Sequence, residues 1–215
     1  MMTHAYAEAY LDTAMDVLGE AFDFAVNECG LDIDDFMMLF ITTGIADAFE
    51  HGNPKFIAGH SGTELVMEIV SKAGLHMTFP PASGSFDCSP EYWSGWILAY
   101  YQWETGCSFR KLHDVVSMQD IRKLYSPLHE ASEQKFVDTI NAILQREKTS
   151  SRLQKQRKLL GYSQKELAEK TNVNLRTLQQ YETGAKDLAK ASFQTVVTLA
   201  NALGCHAEDL IEPIG

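Results

Sequence analysis

Apolar residues recur every three to four positions along most of this chain, and that spacing predicts helix almost throughout. Tyr10, Ala14, Val17, Leu18, Ala21, Phe22, Ala25 and Val26 make one stripe within a helix from Tyr6 to Asn27. Asp12, Asp16, Glu20 and Asp23 fall on its wet side, and Gly30 is the stop. Phe36, Leu39, Phe40, Ile45 and Phe49 face inward on a second helix from Asp34 to Glu50, ended by Gly52-Asn53-Pro54. Ser61, followed three residues later by Glu64, has the form of a capping box opening a helix through Lys72 that Gly74 closes. The least helical stretch is 75–88, with Pro80, Pro81 and Gly84, where a short strand or extended loop fits.

Ser89-Pro90 supplies a cap and a first-turn proline for a helix to Thr105. Tyr92, Trp93, Trp96, Ile97, Tyr100, Tyr101 and Trp103 make it aromatic nearly all round. Shorter helices are predicted over 108–116 and 118–125, and Ser126-Pro127 opens another through Phe136, Ile140, Ile143 and Leu144. The polar run Glu147-Lys148-Thr149-Ser150 marks a boundary. The expected architecture is all-α: an acidic helical domain at 1–147, of unassigned role, and a second domain at 151–215.

Charge sharpens that division. The chain of 215 residues has a net charge of −11, yet residues 1–150 hold 9 Lys and Arg against 22 Asp and Glu, while 151–215 hold 9 against 7. Eleven acids precede the first basic residue, Lys55. An acidic first part and a basic stretch at 151–190 is the asymmetry of a chain whose second end meets nucleic acid. The default reading of the acidic part is a solvated surface, beside a basic protein partner or nucleic-acid mimicry. The longest apolar runs, Phe36–Ile41 and Trp96–Tyr101, are far below the roughly 18 residues of a bilayer span. The start has no basic cluster ahead of an apolar core. A soluble, cytoplasmic protein with no membrane partner is expected. Cys29, Cys88, Cys107 and Cys205 lack motif spacing and read as reduced core residues.

The specific signal lies in 152–210. Leu153, Arg157 and Leu160 form a helix face ended by Gly161, and Ser163-Gln164-Lys165-Glu166 is a second capping box ahead of the core pair Leu167-Ala168. Asn172 suits the left-handed conformation of a tight turn, Val173 plugs the core, and Asn174 caps a short helix from Leu175 to Thr183 that Gly184 ends. Two short helices joined by such a turn are a helix-turn-helix. The stretch Ser163–Lys170, then Val173-Asn174, Thr177-Leu178 and Tyr181–Gly184, with Leu199–Cys205 further on, resembles the phage-repressor helix-turn-helix family of the Xre type over about residues 152–211.

That resemblance implies a five-helix fold and DNA binding, with the third helix in the major groove. It puts Leu175, Arg176, Gln179 and Gln180 at base edges, where arginine pairs with guanine and glutamine with adenine, each worth about 1–3 kcal/mol of discrimination. Leu175 would meet a thymine methyl. It puts Gln164, Asn174, Thr177 and Lys186 at phosphates, and makes Arg157 and Glu182 an ion pair locking the first helix to the third. Where the family often has a proline after the matching glycine, this chain continues from Gly184 as Ala185-Lys186-Asp187. Arg152, Lys155 and Lys158 read as a solvated helix face.

Other motifs carry less. Gly59-His60-Ser61-Gly62 lacks the second glycine of a nucleophile elbow, because position 63 is Thr63, so Ser61 is better read as a cap. His129-Glu130 is followed at position 133 by Glu133 rather than a histidine, and the other histidines show no metal spacing. No catalytic role, metal or cofactor is expected. Trp93, Trp96, Tyr100, Tyr101 and Trp103 read as core before ligand pocket, and Met37 and Met38 as core fillers. The expected function is a sequence-specific transcriptional regulator, a dimeric repressor binding double-stranded DNA. The alternative is an antitoxin-like protein whose first domain neutralises a protein partner. A weaker third reading makes the aromatic helix an effector site.

Overall fold

The computed structural model describes residues 4–81 and 88–211, and all regular structure among them is helical. The protein is all-α. The chain divides into two compact units, Met1–Ile143 and Leu144–Gly215.

The first unit contains α1 (Leu11–Asp23), α2 (Ile33–Thr42), α3 (Ile45–Glu50), α4 (Pro54–Ile57), α5 (Gly62–Lys72), α6 (Pro90–Thr105), α7 (Phe109–His113), α8 (Met118–Lys123), α9 (Tyr125–Leu128) and most of α10 (Glu133–Thr149). Several expected helices prove shorter or broken, each for a local reason. The first begins at Leu11 after a 3₁₀ turn and widens into a π-type turn over Phe24–Glu28, which buries Phe24 and leaves Val26 half-buried. The helix expected over 34–50 is two, because Gly44 adopts φ +75° between them. Thr42 and Thr43 turn their hydroxyls back onto the carbonyls of Met38 and Leu39 at 2.7 and 2.8 Å. Asn53-Pro54, expected only as a break, caps and starts α4. Ser126-Pro127 lies inside α9, and α10 begins at Glu133 instead. Residues 75–81 form neither helix nor strand, and Gly84 lies outside the described residues.

Glycine lets α1 sit against two neighbours. A Cβ at Gly95 would overlap the Leu18 carbonyl and lie 2.8 Å from Cδ2 of Phe22, so α6 approaches α1 backbone to side chain. A Cβ at Gly62 would likewise collide with the Glu20–Ala21 backbone. Around this contact Phe22, Phe36, Phe40, Phe49 and Phe109 are fully buried and meet largely edge to face. Met37 joins them, whereas Met38, turned about 100° further round α2, is exposed.

Acids from early helices close the starts of later ones. The Glu20 carboxylate accepts from Gly62 N at 3.0 Å, Asp34 from Met118 N at 2.6 Å, and Glu50 from Phe109 N at 2.6 Å. Each satisfies an orphan N–H where the helix dipole favours negative charge. Burial pushes the Glu50 carboxyl up, opposed by the bond from Phe109. Asp16 and Asp23, expected as mere wet-side residues, accept from Tyr92 Oη (2.9 Å) and from Asn27 and Ser89.

The four cysteines are free thiols and none is fully buried, although Cys205 packs against the core of the second unit. Cys29, Cys107 and Cys205 are half-buried and Cys88 exposed, because each stands beside a helix end: after the π-type turn, after Gly106, after Gly204 and before the Ser89 cap.

The second unit contains α11 (Arg152–Leu159), α12 (Gln164–Thr171), α13 (Leu175–Glu182), α14 (Phe193–Leu203) and α15 (Ala207–Leu210), with a 3₁₀ turn at Leu188–Lys190. Leu153, Leu167, Leu178, Leu188, Leu199, Leu203 and Leu210 form its core, with Tyr162 and Val173 packed against it. Leu160 is a correction to the expected helix face. It follows the last residue of α11, immediately before Gly161 at φ +73°, and is 46% exposed.

Candidate nucleic-acid interface

Two short helices and the turn between them build the site. Ser163 Oγ accepts from Glu166 N at 3.2 Å while Ser163 N donates to the Glu166 carboxylate at 2.7 Å, a reciprocal box that starts α12. That bond also holds the Glu166 carboxyl below its usual range. Asn172 ends the helix at φ 53°, a conformation that a short polar side chain tolerates. Two residues later Asn174 Oδ1 accepts from Arg176 N at 3.0 Å and Thr177 N at 3.3 Å, so α13 starts in a fixed direction.

The third helix is anchored from behind by ions. Arg157 Nε and Nη2 meet the two Glu182 carboxylate oxygens at 2.6 and 2.9 Å, and Nη1 reaches the Tyr162 carbonyl at 2.6 Å. The side chains are 9% and 0% exposed. Gln164 Nε2 also donates to Glu182 at 2.8 Å, while its Oε1 accepts from Gln179 Nε2 at 3.3 Å. One buried carboxylate thus ties together α11, the start of α12 and α13. The Tyr162 carbonyl and the Gln164–Gln179 bridge have no local sequence signal; they depend on where helix ends meet in space.

On the outer side of α13, Leu175, Arg176 and Gln179 are exposed and Gln180 and Thr177 half-buried, while Leu178 and Tyr181 turn into the core. Among the described residues no carboxylate pairs with Arg176 or Lys158. Lys155, Lys165 and Lys190 have Glu147, Glu169 and Asp187 within 4 Å. Gln164 is half-buried, Asn174 exposed with its oxygen committed to the cap, and Lys186 exposed with its ammonium 5.8 Å from the Tyr181 ring centre. After Gly184, where the family's proline is missing, Asp187 Oδ1 accepts from Ala189 N at 2.9 Å and Leu188 plugs the core.

Residues 153–210 match the family described as helix-turn-helix, HTH_3. They form an Xre-type helix-turn-helix domain. The match is to a DNA-binding domain rather than a catalytic one, and residues ahead of 153 lie outside it. Neither the curated proteins nor the solved structures provide a match to the chain. A helix-turn-helix domain of this family implies DNA binding. No helix among the described residues is long and apolar enough to cross a membrane. Among those residues, too, no three His, Cys, Asp or Glu side chains converge as metal ligands would.

Proposed function

We propose that the protein is a sequence-specific repressor that acts as a homodimer, laying α13 of each copy in the major groove. The observation that carries the reading is the polarity of α13. Leu175, Arg176 and Gln179 face out at its N-terminal end, with Gln180 at the edge, while the opposite side is fixed to α11 and α12 through Glu182. Arg176 and Gln180 read base edges, and Leu175 lies against a thymine methyl. Gln179, held by Gln164, reads from a preset rotamer. Gln164, Asn174, Thr177 and Lys186 approach the backbone, with the first N–H groups of α12 and α13 beside them.

The charge balance supports the dimer reading. Residues 151–215 carry only two net positive charges, so phosphate attraction from one copy is modest. Two copies reading half-sites about 34 Å apart, one turn of duplex, multiply that attraction. Selection of bound DNA from a random pool by the full chain tests the reading. The expected result is an enriched sequence with twofold character. Arg176→Ala should then lose about 1–3 kcal/mol of preference at one base pair with the melting temperature unchanged, and Gln180→Ala a preference at another. Equal affinity for all sequences at physiological salt overturns it.

A further inference from the structure

The aromatic helix of the first unit divides its rings between two jobs. Tyr101 and Trp103 are core: the Tyr101 phenol donates to Asn141 Oδ1 at 2.9 Å, and Trp103 Nε1 donates to the Tyr6 carbonyl at 2.9 Å. Trp93, itself buried, and Trp96 face a cavity of about 350 Å³ bounded by α6, α9 and α10. Tyr125 and Phe136 complete its aromatic walls, each ring edge to face with Trp93 at 5.8 and 5.7 Å between centres. His129 lines the cavity too, stacked on Tyr125.

One charged group with no opposing charge opens into this space. Glu133, half-buried in the first turn of α10, lines the cavity, and among the described residues its carboxylate has neither a hydrogen bond nor an ion pair. Its charge helps push up the Tyr100 phenol, second to burial and the neighbouring Glu104. No lysine or arginine lines the cavity. We propose that this cavity binds a small organic cation, an alkylated ammonium with an apolar body.

The chemistry selects that class. The faces of indole and phenol rings carry negative potential and attract a weakly hydrated cation within about 6 Å of their centres. The apolar body covers the walls, and the positive nitrogen approaches Glu133. A neutral ligand of the same shape would cover the carboxylate without replacing its water, and an anion would meet like charge with no lysine or arginine to offset it. The excess of acids over residues 1–150 raises the local concentration of cations further. The inference does not depend on the DNA reading and stands or falls separately.

The experiment titrates the full chain with benzyltrimethylammonium, its neutral isostere neopentylbenzene, and phenylacetate, following tryptophan emission and heat. All three tryptophans lie in the first unit, two of them on the cavity. Saturable binding of the cation is expected, with the isostere and the anion weaker by about tenfold or more. Glu133→Gln should weaken the cation about five- to tenfold and leave the isostere unchanged, with helicity checked by circular dichroism. Because cation-over-isostere selectivity is measured on the unaltered chain, the proposal is testable without any variant. It is overturned if the isostere or phenylacetate binds as tightly, if Glu133→Gln changes nothing, or if no saturation is reached by about 10 mM cation.

Discussion

Between α1 and α6 the first unit brings Gly95 onto the Leu18 carbonyl and fills the space around it with phenylalanines. Between α11 and α13 the second unit instead buries a guanidinium on a carboxylate, with a backbone carbonyl and an amide completing their bonds. The first arrangement draws its stability from apolar volume and tolerates little change in size. The second has a small leucine core and draws its geometry from directed bonds that only one arrangement satisfies. Where the first unit buries an acid, Glu91, its partner Arg122 is half exposed; in the second both ions are inside. For a domain that must present a short helix at a set angle, the directional solution fixes orientation, while a greasy contact of the same size would allow sliding.

The sharpest way to break this contrast is Glu182→Gln. The substitution keeps shape but leaves the Arg157 charge buried and uncompensated, and removes an acceptor from Gln164. A loss of about 3–5 kcal/mol is expected in the second unit. Since that unit has no tryptophan, circular dichroism should show an early melting phase that tryptophan emission does not follow. Replacing both ions, Arg157→Met with Glu182→Met, should restore most of the stability. If Glu182→Gln melts like the parent, the polar centre is ornament and the contrast between the units fails.

The counterpart in the first unit is Gly95→Ala. In an open helix this change gains about 1 kcal/mol from propensity. Here the added methyl meets the Leu18 carbonyl and the Phe22 ring, so α1 and α6 must separate, and overpacking of this kind costs about 1–3 kcal/mol. Tryptophan emission should report the lowered melting temperature. An unchanged or raised value would show that the helices sit further apart than the glycine implies.

The same contrast decides what the sequence made legible. In the second unit the devices that start and stop the helices are local: Ser163 with Glu166, Asn172, Asn174 and Gly184 lie within a few residues of what they shape, so the helix-turn-helix is readable as a string. In the first unit the informative bonds span distance. Glu20 caps Gly62, Asp34 caps Met118 and Glu50 caps Phe109, and no spacing rule links residues 42, 84 and 59 positions apart. The acids that read as a solvated face are exposed at Asp12, Asp16 and Glu20, yet Glu20, Asp34 and Glu50 also serve as caps that the stripe could not announce. Periodicity found the helical stripe from 34 to 50 but not its break, since Gly44 costs a stripe nothing while redirecting the chain. The aromatic helix exposed the limit of composition alone: its ring count predicted volume, and only packing separates Tyr101 in the core from Trp96 on a cavity.

The smallest effect tests whether the first unit relies on charge at all. His60 Nε2 lies 2.7 Å from a Glu68 oxygen, and Lys55 binds the other oxygen at 2.7 Å. The Glu68 hydrogen bond raises the His60 imidazole above its ordinary value, and Lys55, then His60, holds the Glu68 carboxyl below its own. A raised histidine contributes stability that is fully present below its unfolded value, about 6.5, and lost as pH climbs through the folded one. Glu68 acts in the other window, losing its contribution only as pH falls below the usual carboxylate range. Between pH 6 and 8 the Glu68 contribution is constant, so the His60 pair alone should cost the first unit about 0.5 kcal/mol as pH rises. His51, raised mainly by the Asp47 carbonyl, is fully exposed, so comparison of the parent with His60→Gln isolates the pair. The difference between their melting temperatures should shrink from pH 6 to pH 8. A constant difference would mean His60 acts through its packing against Phe56, where the rings meet edge to face at 5.8 Å, and would place this site too on the volume-filling side of the comparison.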